Sequence, residues 1–84
     1  MHVEFLGIPR ERAGVSEVEI EAETLGQLLE ALAFRFPALR ELITDGSLHS
    51  SIAANLNADE FVTDPCRSLN ADDRLILLSS DAGG

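Results

Sequence analysis

Few residues in this 84-residue chain are of types that do chemistry unaided. His2 and His49 are its two histidines, and neither has a cysteine or histidine neighbour at metal-ligand spacing. Both read as surface residues, and no metal site is expected. Cys66 follows Asp64-Pro65 and has Arg67 as its sole adjacent cation, a thin basis for the electropositive setting a reactive thiolate needs. With 15 Asp and Glu residues, carboxylate pairs arise without purpose. Glu17, Glu19 and Glu21 read as the solvated face of a strand, and Asp72 and Asp73 as caps on a turn. There is no phosphate-cradling glycine loop and no Ser-His-Asp set. The chain is not expected to be an enzyme by itself.

The end of the chain differs. It runs Ser79-Ser80-Asp81-Ala82-Gly83-Gly84. With glycine near 7% of residues, a terminal pair arises by chance in about 0.5% of chains, so this one asks for a reason. A frayed end would be the bland one. The chemical one is that a carboxylate becomes an electrophile once its oxygen is turned into a leaving group, as adenylation by ATP does. A sulfur nucleophile can then displace AMP and leave a thiocarboxylate. Glycine, lacking Cβ, lets the backbone thread an enclosed site and leaves the carbonyl open to attack. Gly84 is therefore the candidate reacting residue, with Asp81, Ala82 and Gly83 as the slim segment a partner would grip.

Such a tail needs a rigid domain to present it. Residues 2–7 read as a strand with Val3 and Phe5 on one face and Glu4 and Leu6 on the other. Residues 8–14 hold Pro9, three charges and Gly14 and read as a turn. Val18 and Ile20 alternate with glutamates, predicting a second strand in an antiparallel hairpin with the first. Thr24 and Gln27 fit a capping box, and Leu25, Leu28, Leu29, Leu32 and Phe36 form one helical stripe that Pro37 ends near Arg35. Residues 38–43 predict a short helical turn, and Asp45-Gly46 a turn. Strands are expected at 51–56, 60–63 and 75–78. The last is apolar without alternation, as in a central strand covered on both faces. Helix and sheet must bury their apolar faces on each other, giving an α+β two-layer domain over residues 1–78, with 79–84 a flexible tail. A hairpin, a crossover helix and an apolar last strand parallel to the first suggest a β-grasp: a mixed four- to five-stranded sheet on one main helix.

The sequence resembles the MoaD/ThiS family of ubiquitin-like sulfur carriers. Val3-Glu4-Phe5-Leu6-Gly7 and Pro9-Arg10-Glu11-Arg12-Ala13-Gly14 are similar to the family's opening strand and Leu-Arg-Glu-x-x-Gly turn. Thr24 to Leu29 resembles the start of its helix, Ile52 to Asn57 its Val-x-Val-Asn strand, Leu69 to Leu75 its Leu-x-x-Gly-Asp-x-Val segment, and Ala82-Gly83-Gly84 its terminus. Departures are Ala71 for the usual glycine, Asn55 inside a strand, and Ser79-Ser80 where many molybdopterin-synthase small subunits have Pro-Pro.

The resemblance implies that Gly84 is adenylated by a partner of the ubiquitin-activating type, which uses the ATP, and is then thiocarboxylated. No permanently bound cofactor is implied. The sulfur would pass to the molybdopterin synthase large subunit, for molybdenum cofactor biosynthesis, or to another sulfur-accepting enzyme serving thiamine or cysteine. The length favours the molybdopterin branch; Leu48-His49 and the Ala-Gly-Gly end are also similar to carriers of the cysteine-forming type. The alternatives are a ubiquitin-like protein modifier and a β-grasp binding module without sulfur chemistry.

Composition narrows the partners further. The net charge of −9 argues against a nucleic-acid backbone as ligand. All six basic residues are arginines, so the chain offers no lysine for tagging itself. One cysteine allows no internal disulfide. No apolar run approaches the roughly 20 residues of a membrane helix. A cytoplasmic protein with no membrane partner is expected.

Overall fold

A computed structural model describes residues 1–80. In chain order the elements are β1 (His2–Phe5), α1 (Ile8–Ala13), β2 (Glu17–Glu19), α2 (Leu25–Arg35), a 3-10 turn (Pro37–Leu39), β3 (Ile43–Thr44), β4 (Ser47–Leu48), β5 (Ile52–Leu56), β6 (Glu60–Phe61) and β7 (Arg74–Ser79). Five strands form one sheet in the order β2-β1-β7-β5-β6. β7 lies parallel to β1, with Phe5 opposite Leu77, and antiparallel to β5, with Ala54 opposite Leu77. The sheet is thus mixed, with the last strand in its middle, and packs on one main helix: a ubiquitin-like β-grasp.

Period-2 and period-3.6 patterns meet in the core. Val3, Phe5, Ala54, Leu56, Leu75 and Leu77 turn inward from the sheet to meet Leu25, Leu28, Leu29 and Leu32 of α2. Phe36, just past the helix, closes the stripe by setting its ring edge-on to Phe5, centroids 5.6 Å apart. α2 begins with a capping box. Thr24 Oγ1 accepts from the Gln27 N–H at 3.2 Å, and Gln27 Oε1 reaches back to the Glu23 N–H at 3.0 Å, one residue before the N-cap.

Four sequence expectations are corrected. Residues 8–14 form a helix rather than a turn. Pro9 sits in the first turn, where its missing N–H costs nothing, and Gly14 ends the helix in the left-handed region at φ 78°. The same residues that spell a turn therefore spell a short capped helix, and β1 and β2 pair antiparallel across it, as expected. Past the 3-10 turn, Ile43–Thr44 pairs with Ser47–Leu48 around Asp45-Gly46 rather than extending a helical turn. Both turn residues take positive φ, 51° and 74°, as a two-residue hairpin demands. β7 is central but covered on one face only: Leu75 and Leu77 are buried, while Ile76 and Leu78 are half-buried on a face no helix covers. Finally, the last strand runs from Arg74 to Ser79, beyond the expected 75–78, and Ser79 is buried.

The substitution of Ala71 is accommodated simply. Among the described residues positive φ occurs at Gly7, Gly14, Asp45, Gly46, Asn57 and Ala58, so the 70–73 turn closes without a left-handed residue.

Candidate functional site

The candidate tail residues Asp81, Ala82, Gly83 and Gly84 lie outside the described residues. What the structure places is the root from which they leave and the sheet face beside it.

The root is built from three elements distant in sequence. Ser79 stands opposite Ile52, and its Oγ accepts the Ile8 N–H at 2.9 Å. Gly7 bends the chain above it at φ 61°, ψ −132°. A Cβ there would run into the Ser79 hydroxyl, so the close approach requires glycine. On the other side, the Ser80 N–H donates to the Ser51 carbonyl at 2.7 Å, and Ser80 Oγ donates to the Ser50 carbonyl at 2.7 Å.

Beside the root, register turns the open sheet face into rows. Leu6, 46% exposed, follows Phe5 and lies beside Leu78, which is opposite Ala53. The next row is Glu4, Ile76, Asn55 and Phe61, the last 66% exposed. Asn55 Oδ1 is shielded from solvent and has no hydrogen-bond partner among the described residues. The far row is charged. His2 Nδ1 is 2.8 Å from Glu19, its Nε2 is 3.6 Å from Glu4 and 3.8 Å from Glu17, and Arg74 donates to Glu4 at 2.9 Å. The face is therefore apolar next to the tail root and ionic away from it. Its pattern was visible in the alternation of β1. Its position beside the root needed the parallel pairing of β1 with β7.

The ordinary catalytic candidates stay apart. His2 is half-buried and belongs to this ionic row. His49 is exposed and bonds within its own loop: its Nδ1 accepts the Ser51 N–H at 3.1 Å. Cys66 is exposed, and its N–H donates to Asp64 Oδ1. Asp73 does cap its turn, accepting from Asn57 Nδ2 at 3.0 Å and the Asn70 N–H at 2.8 Å. Those two bonds, the Asn57 amide first, hold its carboxyl below the usual aspartate range. Arg67 donates to Glu60 through both terminal guanidinium nitrogens and lowers that carboxyl likewise. Among the described residues no group of three or more His, Cys, Asp or Glu side chains could hold a metal ion, and no helix is long and apolar enough to cross a membrane.

A two-layer β-grasp whose last central strand delivers its C-terminal end to an apolar sheet face has the fold of the ThiS/MoaD ubiquitin-like sulfur carriers. The sequence matches the ThiS family over residues 3–84, and the chain belongs to that family. Among solved structures it is similar to SAMP1 from Haloferax volcanii, at 27% identity and TM-score 0.76, covering 99% of this chain and 97% of that one. It is also similar to a chain of the BexX/CysO complex from Amycolatopsis orientalis, at 25% identity and TM-score 0.79, covering 99% and 98%. A protein of Pyrococcus furiosus assigned as molybdopterin converting factor subunit 1 shares the fold, at 20% identity and TM-score 0.77 over 93% of each chain. A comparison with curated protein sequences finds no match.

Proposed function

We propose that this protein is a sulfur carrier whose Gly84 carboxylate is the reacting group. The match to the ThiS family through residue 84, on a chain ending Ala82-Gly83-Gly84, carries this reading. In the proposed cycle the carboxylate oxygen attacks the α-phosphorus of ATP inside an adenylating partner and expels pyrophosphate. Hydrosulfide, or a sulfur donor of equal oxidation state, then attacks the acyl carbon and expels AMP, leaving a thiocarboxylate. The carrier chain supplies a reacting carbonyl without steric shielding and a surface that docks. The partners supply the ATP site and the sulfur.

Docking is assigned to the open face beside the root. Leu6, Leu78 and Ala53 offer apolar contact, and the acidic balance of −9 favours a partner with a basic rim. Among sulfur acceptors, the large subunit of molybdopterin synthase is the first to test on the chain's length. The likeness to a chain in a BexX/CysO complex supports trying other sulfur-accepting biosynthetic enzymes alongside it.

A second reading, a protein modifier that passes activated Gly84 to a lysine amine, is favoured by the 29% identity to a structure described as small archaeal modifier protein 1 of H. volcanii. Mass spectrometry of the C-terminal peptide, after incubation with ATP, sulfide and the adenylating partner, separates the readings. Oxygen-for-sulfur exchange must be localised to Gly84, because one oxidation at Met1 or Cys66 adds nearly the same mass. A thiocarboxylate that disappears when an acceptor enzyme is added supports the carrier. An isopeptide-linked conjugate supports the modifier. An unchanged tail overturns both.

A further inference from the structure

The root of the tail is fastened at two successive residues, Ser79 and Ser80. Ser80 is exposed and is followed by small residues, yet it spends both its polar donors on one loop, on the successive carbonyls of Ser50 and Ser51. That loop is itself fastened. The His49 N–H donates to the Leu42 carbonyl at 2.8 Å, and the Ile52 N–H donates to the His49 carbonyl at 3.0 Å. The His49 ring closes over the turn: Nδ1 takes the Ser51 N–H at 3.1 Å and lies 2.9 Å from Ser51 Oγ. Since Nδ1 accepts, it carries the lone pair, and the proton of the neutral ring sits on Nε2. On the opposite flank Ser79 is tied to the start of α1 through Ile8. Residues 79 and 80 are thus gripped from two sides by segments that meet only in the folded domain.

We infer that the 49–51 loop is a clamp that fixes Ser80 at the root of the carrier's tail, with His49 as the positioning residue that shapes the clamp. The inference rests on the sulfur-carrier reading and deepens it. Beyond Ser80 four residues are left. At about 3.3–3.6 Å per residue they span at most about 14 Å. Without the loop's two bonds to Ser80 the last hold on the chain would be at Ser79, and the reach to Gly84 would lengthen to at most about 18 Å on the same geometry. The clamp therefore sets both the depth to which Gly84 can enter a partner and the direction from which it enters. The sites that adenylate Gly84 and that take its sulfur must lie within that radius of Ser80 when the open face is docked. His49 never touches the reacting atoms. It acts through the Ser51 backbone on the pose of the chain end, where a misplacement on the order of 1 Å lowers turnover steeply.

The test uses the full chain and three proteins: the wild type, His49→Ala and His49→Asn, whose amide oxygen can replace Nδ1 as acceptor. Amide hydrogen exchange at Ser80, read by NMR on the carrier alone, is expected to be slowed about tenfold or more in the wild type. The slowing should be lost in His49→Ala and restored in His49→Asn. In single-turnover thiocarboxylation with the adenylating partner, ATP and sulfide, His49→Ala should lower the maximal rate about tenfold. The carrier concentration for half-maximal rate should stay within about twofold, because the docking face is untouched. His49→Asn should recover the rate. An unprotected Ser80 amide in the wild type overturns the clamp. So does a His49→Ala variant that loses protection but keeps its maximal rate. The exchange measurement needs no partner, so it judges the clamp even if wild-type Gly84 takes no sulfur, a result that would overturn the carrier reading instead.

Discussion

The hydroxyl of Ser79 caps a helix that begins 71 residues earlier: its Oγ lies 2.9 Å from the backbone nitrogen of Ile8. α1 brings no N-cap side chain of its own, since its N-cap is Gly7. The donor left over at the helix start is satisfied by the last strand, just before the chain leaves the sheet.

Removing that cap should cost stability. Ser79→Ala leaves the Ile8 N–H without a partner, and the loss of a helix cap is worth about 1 kcal/mol. In a domain of this size that lowers the Tm by about 4–8 °C. Gly7→Ala should cost more. It puts a Cβ against the Ser79 side chain and holds alanine in a glycine region of φ and ψ, worth about 1–3 kcal/mol. Thermal unfolding of both variants checks the order. A Gly7→Ala variant more stable than Ser79→Ala would contradict the contact.

Acid should weaken the fold through Asp73. Hydrogen bonds from Asn57 and Asn70 lower its carboxyl in the folded chain relative to the ordinary aspartate value of 3.8. The unfolded chain then binds the proton more tightly. The stabilisation is complete above the unfolded value and drains away as the pH falls through the folded one. Urea midpoints between pH 7 and pH 2 should show it. Asp73→Asn should start lower at pH 7 and lose less on acidification than the wild type.

The open face should be separable from the core. Leu6→Asp places a charge at a position 46% exposed, and Leu78→Asp places one in the half-buried row beside it. Leu6→Asp should leave the Tm nearly unchanged, as exposed substitutions do within about 0.5 kcal/mol. It should weaken binding to the adenylating partner about tenfold or more. Isothermal titration with wild type and variant measures this. Unchanged affinity would move the docking surface elsewhere.

Deleting Gly83 and Gly84 should abolish thiocarboxylation and leave thermal stability as it is, because glycine has no side chain to bury in a core. A truncated chain that still transfers sulfur would show that the reacting group lies elsewhere.

The sequence by itself determined whatever depends on local period and local chemistry. The alternation of Val3 and Phe5 with Glu4 and Leu6 set the two faces of β1. The Leu25-to-Leu32 stripe and the Thr24–Gln27 box set α2, and a slim Gly-Gly end on an apolar last strand proposed the reacting residue. Those signals are local because side-chain periodicity and capping act within a turn or a strand. The tertiary structure alone decided the rest. Pro9, Gly14 and three charges suit a turn or a short helix equally. The Ser79 hydroxyl, absent from any local window, caps α1 and tips it toward helix. The apolar run of β7 suits a strand buried on both faces, yet the domain has a single helical layer against its sheet, so Ile76 and Leu78 stay half-open. Ser79 and Ser80 look like the start of a polar tail until the pairing of β5 with β7 sets them against Ile52, Ser51 and Ser50. A backbone donor is satisfied by whatever acceptor the fold brings near, and that partner can lie dozens of residues away, beyond the reach of any pattern in the sequence.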